Sequence, residues 1–131
     1  MLKKLLLVLG ATLGCMACTP PELTEREASF EEVSPILAER CGADGCHGNP
    51  ANGNFMIPGG IGASQGQVRD ALEGMETTQQ VPLIEAGSPQ DSAVYQRLVA
   101  EPPELMPPND SLSNRDIELI RQWIREGASY E

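Results

Sequence analysis

Cys41-Gly42-Ala43-Asp44-Gly45-Cys46-His47 is the stretch on which the reading of this chain turns. It puts two thiols and an imidazole on one short loop, with four residues between the cysteines and the histidine directly after the second. His47 is the single histidine among 131 residues. Gly42 and Gly45 flank the inserted pair Ala43-Asp44, so the backbone there is expected to use the positive φ values open to glycine. Upstream, Ser34-Pro35 reads as a helix start, serine as N-cap and proline at the first helical position. Ile36, Leu37 and Arg40 carry that helix into Cys41, so it delivers the loop. Downstream, residues 48–66 are rich in Gly, Asn and Pro and read as loop. The apolar island Phe55-Met56-Ile57 within it is expected to pack on whatever the loop wraps.

Two thiols followed at once by a histidine are a widened form of the C-x-x-C-H haem-attachment pattern. In that pattern the cysteines add to the haem vinyl groups and the imidazole becomes the proximal iron ligand. Cys41 and Cys46 are therefore candidate attachment sites, and His47 the candidate proximal ligand. Two other chemistries use the same residues. A disulfide between Cys41 and Cys46 suits an oxidising compartment. Structural zinc wants four ligands, usually Cys and His. Of the four cysteines, two lie near the N-terminus in Gly14-Cys15-Met16-Ala17-Cys18, which leaves three such ligands for a zinc site.

Further along, Val68, Leu72 and Met75 recur at helical spacing over residues 67–75, which assigns Met75 to the core. Ser88-Pro89-Gln90-Asp91 has the form of a capping box and opens a helix expected to run through Ala100, with Val94 and Leu98 on one face. Pro102-Pro103-Glu104-Leu105-Met106-Pro107-Pro108 then sets a methionine between two proline pairs. Proline restricts itself and the residue before it, so Met106 is held in a stiff loop. A methionine filling a core gap is the plainer reading. Beside a haem motif, Met106 becomes the candidate distal ligand, because His/Met is a standard pair. Met56 lies only nine residues after His47 and fits that role less well. Ser113 and Asp116 cap a last helix expected to reach about Glu126 and to stop at Gly127. Its apolar stripe is Ile117, Ile120, Trp123 and Ile124. Trp123, Ile120 and Leu98 are candidates for a cofactor wall, or for plain core. No segment alternates like a strand, and the domain reads as all-α.

The N-terminus reads as an export signal: Lys3-Lys4, then the short apolar run from Leu5 to Leu9. That run is shorter than the roughly 20 residues a membrane span needs. A small residue before a cysteine resembles a lipoprotein cleavage box, with Cys18 the expected lipidated residue and Cys15 the alternative. The expected organisation is a leader over 1–17, a tether over 18–30 and one domain over 31–131. The chain after the leader has seven arginines, no lysine and 19 Asp and Glu, a formal charge of −12. This excludes a basic nucleic-acid footprint and favours basic partners. Aromatics make up only 4 % of the chain, so a buried cofactor would supply missing core volume.

Val33-Ser34-Pro35-Ile36-Leu37, Cys41 and Cys46-His47-Gly48 resemble the opening of the planctomycete-type cytochrome c domain. Ala86-Gly87-Ser88-Pro89, Ser92 and Val94-Tyr95 resemble its middle element, and Met106-Pro107-Pro108 its methionine loop. Leu112-Ser113, Ile120 and Trp123-Ile124-Arg125-Glu126-Gly127-Ala128 resemble its closing helix. The resemblance spans about residues 33–128, in the family's order. It implies a small helical fold around one covalent haem c, attached at Cys41 and Cys46 and ligated by His47 and Met106. The spacing between the cysteines departs from the family's by two extra residues.

The resulting expectation is an exported, lipid-anchored monohaem cytochrome of the periplasm or cell envelope. It would be a monomeric electron carrier for redox partners with basic docking surfaces, and not an enzyme. One rival is a haem-free, disulfide-stabilised lipoprotein acting as a binding or structural module. The other is an enzyme with an open haem site.

Overall fold

The computed structural model describes residues 26–48, 55–73, 75–108 and 110–131. The expected leader over 1–17, the lipidation candidates Cys15 and Cys18 and most of the expected tether over 18–30 lie outside the described residues. The described residues form four α-helices: α1 (Phe30–Cys41), α2 (Gln65–Leu72), α3 (Ala93–Leu98) and α4 (Asn114–Arg125). Short 3₁₀ turns at Gly60–Gly62 and Pro89–Asp91 precede α2 and α3. No strand occurs among the described residues, and one isolated bridge joins Glu76 to Pro82. The domain is all-α.

The first helix starts earlier than Ser34-Pro35 suggests. Ser29 is its N-cap, and the Ser29 N–H and hydroxyl both reach Glu32 Oε2, at 3.4 and 3.2 Å. Ser29-x-x-Glu32 is itself a capping-box pattern. Burial decides between the two starts, since Phe30 and Val33 are both fully buried and the core recruits the extra turn. Pro35 then sits inside the helix and removes one intrahelical bond, on the carbonyl of exposed Glu31. Residues 26–28 dock onto α4: the Ala28 N–H donates to Glu126 Oε2 at 2.9 Å, and Gln122 Nε2 donates to the Arg26 carbonyl at 2.9 Å.

The α2 helix ends at Leu72, so Met75 lies beyond it and is 39 % exposed rather than core. Its start comes from Ser64 and Gln67, a reciprocal cap: Ser64 N–H to Gln67 Oε1 at 2.9 Å and Gln67 N–H to Ser64 Oγ at 3.3 Å. The single helix expected from Ser88 to Ala100 is two pieces. Ser92 breaks it with extended backbone, φ −93 and ψ 119, and its fully buried hydroxyl explains why. Ser92 Oγ accepts the Glu85 N–H at 2.8 Å and donates to the Ser88 carbonyl at 2.9 Å, competing with helix bonds. The helix also stops at Leu98, leaving Val99 50 % exposed.

The last helix, α4, agrees with its sequence pattern. Ser113 Oγ accepts the Asp116 N–H at 3.1 Å, and the chain leaves the helix through Gly127 at φ +108. Ile120, Trp123 and Ile124 are buried; Ile117 is half-buried. Trp123 stacks on Phe30 with ring centroids 5.3 Å apart, and Tyr130 meets Phe30 edge-on at 4.9 Å. The Trp123 indole N–H donates to the Ser129 carbonyl at 2.8 Å, so the buried ring carries no orphan donor. This aromatic corner locks the N-terminal half of α1 against α4. The C-terminal half of α1 faces a cavity.

Candidate functional site

A cavity of about 300 Å³ opens beside the C-terminal end of α1. Its walls include Leu37 and Cys41 from α1, one helical turn apart, and Ala93, Val94 and Leu98 from α3. Phe55 and Ile57, the apolar island of the long loop, close another side with Leu72 and Leu83. A second cavity of about 150 Å³ adjoins it, bordered by Arg40, Gly45, Cys46 and Pro107-Pro108. Cys41, His47 and Met106 line both, so the two spaces meet at these residues. Sequence positions 41, 47 and 106 are thus brought to one place by the fold.

Backbone hydrogen bonds hold the Cys41–His47 loop in shape. The Ala43 carbonyl accepts from Cys46 N–H at 2.9 Å and from Gly48 N–H at 3.3 Å. The Cys41 carbonyl accepts from His47 N–H at 3.1 Å. The two extra residues therefore form a closed knuckle, and Cys41 and His47 stay hydrogen-bonded across it. Gly45 takes φ +80, as its placement suggests. Gly42 does not: its φ is −80. Close approach requires glycine there, since a Cβ would lie 2.6 Å from both the Ala38 and Gly60 carbonyl oxygens. Gly42 thus lets the start of the loop sit on the turn before α2.

His47 is oriented by a backbone group. Its Nδ1 lies 3.0 Å from the Phe55 carbonyl oxygen, which can only accept, so Nδ1 carries the proton. The Ile57 N–H donates to the His47 carbonyl at 2.8 Å, and the Phe55 ring sits 4.9 Å from the imidazole. Nε2 is left with its lone pair, and no hydrogen bond reaches it among the described residues. A fixed tautomer with the other nitrogen free is how a metal-bound imidazole is held.

Cys41 and Cys46 are free thiols, not a disulfide. Burial, with the nearby Cys46 second, pushes the Cys41 thiol up to about 11, while Arg40 opposes this. Cys41 is therefore a neutral thiol at pH 7, in an apolar wall. No three of His, Cys, Asp and Glu among the described residues are grouped so as to hold a metal ion. The donors gathered at the cavities are one imidazole nitrogen, two sulfurs of cysteine and one thioether.

Met106 is 37 % exposed and is tied to α3 by its N–H, which donates to the Arg97 carbonyl at 2.8 Å. Met56 and Met75 line neither cavity and are each 39 % exposed. Of the proposed wall residues, Leu98 lines the larger cavity, whereas Trp123 and Ile120 belong to the packed core. Sequence reading missed the Phe55 carbonyl, Thr77, Arg97 and Arg40. A backbone carbonyl has no sequence signature; the arginines had one, as rare cations in an acidic chain. No family model, no curated protein and no solved structure matches this chain.

Proposed function

We propose that this chain is an exported, lipid-anchored monohaem c-type cytochrome that carries electrons outside the cytoplasm. One observation supports this most: Cys41, His47 and Met106 meet on the shared wall of two adjoining, largely apolar cavities, with Cys46 beside them. The residues fit a haem in kind. His47 Nε2 and the Met106 thioether are the donor types that would hold a haem iron, and Cys41 and Cys46 would offer the two sulfurs for thioether bonds. The larger cavity alone, at about 300 Å³, reaches the range of ligand pockets. Haem bound there would supply the one-electron couple between ferric and ferrous iron.

The chain's own part is to orient, bury and tune. Phe55 fixes the His47 ring through Nδ1. The apolar walls from α1, α3 and the Phe55–Ile57 segment keep water off the centre. Met106, tethered by its N–H to the Arg97 carbonyl, would hold the iron together with His47, which favours a carrier over an enzyme. A methionine ligand would also raise the potential. The acidic surface favours redox partners with basic docking faces. The free thiols and the cavity between them and Met106 give the haem-free disulfide module less support.

A visible spectrum of the exported protein tests the reading. A Soret band with a sharp reduced α-band is the expected result. A protein with no Soret band is the haem-free module, and a high-spin spectrum is an open-site enzyme; either overturns the proposal.

A further inference from the structure

The chain has 19 Asp and Glu against nine Lys and Arg, yet no acid among the described residues lines either cavity. The charged side chains that do are both arginines: Arg97 on the larger cavity and Arg40 on the smaller. By contrast, the cavity between α1 and the Gly60–Gly62 turn is bordered by Glu31 and Glu39. Arg40 already has a carboxylate, since its Nη2 lies 2.6 Å from Asp110 Oδ2. Arg97 does not. Of its five N–H donors, one reaches the Glu104 carbonyl at 3.4 Å, and no other bond from its side chain occurs among the described residues.

We infer that Arg97 is a carboxylate-binding subsite of the cavity, and that the cavity takes an amphipathic ligand with an apolar body and an anionic arm. Resting on the reading above, the body is the tetrapyrrole and the arm one of its carboxylates. An occupant of the larger cavity strips water from the cavity side of the guanidinium. A carboxylate replaces that water with charge-assisted, potentially bidentate hydrogen bonds; an ester does not. The same residue accepts the Met106 N–H on its carbonyl, so the arm and the methionine loop are fixed by one residue of α3.

The full chain made by cell-free synthesis without haem is titrated with metal-free protoporphyrin and with its dimethyl ester, with porphyrin fluorescence as the readout. Neither probe carries iron, so axial ligation does not enter. The wild type should prefer the diacid about tenfold, the scale of one charge-assisted hydrogen bond at a partly exposed cation. Arg97→Met should remove that preference and leave ester binding unchanged. Arg97→Lys should keep most of it. Equal loss of both probes in Arg97→Met would make Arg97 structural and overturn the inference, as would no loss at all. Helix content by circular dichroism identifies a variant that fails to fold. In that case the wild type decides: a diacid preference below about twofold at low salt overturns the inference, and one that shrinks with added salt supports it. If Arg97-dependent diacid binding is seen but the exported protein carries no haem, the cytochrome reading fails and the subsite stands. Covalent haem without the diacid preference gives the reverse.

Discussion

At its N-terminal end α1 meets a solid corner, and at its C-terminal end a hollow one. Phe30 is wedged between Trp123 and Tyr130, with centroid distances of 5.3 and 4.9 Å, so three of the chain's five aromatic residues fill one small volume. About two and three helical turns later, Leu37 and Cys41 face a cavity of about 300 Å³ with comparably apolar walls. The chain concentrates its few large side chains where α1 must be fixed to α4. It leaves the volume beside His47 and Met106 to something else. The solid corner is what allows the hollow one to hold its shape.

Truncation on each side separates the two. Trp123→Ala removes a fully packed ring and should cost about 3–5 kcal/mol. Leu98→Ala trims a side chain that already borders space, has fewer contacts to lose and should cost about 2 kcal/mol in the haem-free chain. Urea unfolding of both variants measures the gap, and equal costs would erase the distinction between corners.

Ser92 joins the corners. Its hydroxyl ties the Glu85–Ser88 turn to α3, a cavity wall, while the Gly87 N–H donates to the Ile124 carbonyl of α4 at 2.7 Å. Ser92→Ala removes the partner of the part-buried Glu85 N–H and should cost about 0.5–1.5 kcal/mol. It should also weaken porphyrin binding, as a change confined to the solid corner would not; unchanged binding would uncouple the two halves.

Tyr130 gives the solid corner a pH signature. Burial, with Glu73 second, pushes its phenol up to about 12 from an ordinary value of 10. The folded chain therefore holds this proton more tightly than the unfolded chain. Its contribution is full below pH 10 and is lost as pH rises from about 10 to about 12. Urea midpoints across that window should fall more steeply for the wild type than for Tyr130→Phe, and parallel curves would show that Tyr130 titrates freely.

The smallest effect on stability belongs to the hollow side. Met106 is 37 % exposed, so Met106→Ala should shift the haem-free chain by no more than about 0.5 kcal/mol. If haem is bound as proposed, the same change should abolish the sulfur-to-iron charge-transfer band, lower the potential and admit carbon monoxide. Loss of that band in Met56→Ala or Met75→Ala instead would move the ligand elsewhere.

Much of the solid corner is legible in the sequence, because cap, stripe and stop agree in α4: Ser113, then Ile120, Trp123 and Ile124, then Gly127. At α1 two caps compete, and burial of Phe30 and Val33, a tertiary effect, chooses Ser29 over Ser34-Pro35. At Ser92 a buried hydroxyl overrides a helical pattern, and at Met75 the helix ends three residues short of the periodicity. In the hollow corner Cys41, Cys46 and His47 could be named in advance from their spacing, and Met106 from the proline pairs that flank it. The Phe55 carbonyl that orients His47 could not, since any residue supplies one and only the loop's path selects it. Thr77 likewise comes to the cavity by the path of its loop, whereas Arg97, three residues after Val94, borders the helix face that the spacing of Val94 and Leu98 marks.

The central claim is that a haem is bonded to Cys41 and Cys46 beside His47. Extraction of the purified protein, expressed from the whole sequence, with acidified organic solvent tests it most directly. The haem absorbance should stay with the protein in the wild type, and be released when Cys41 and Cys46 are both replaced by alanine. Complete release from the wild type, or an exported protein with no haem to extract, would contradict the account.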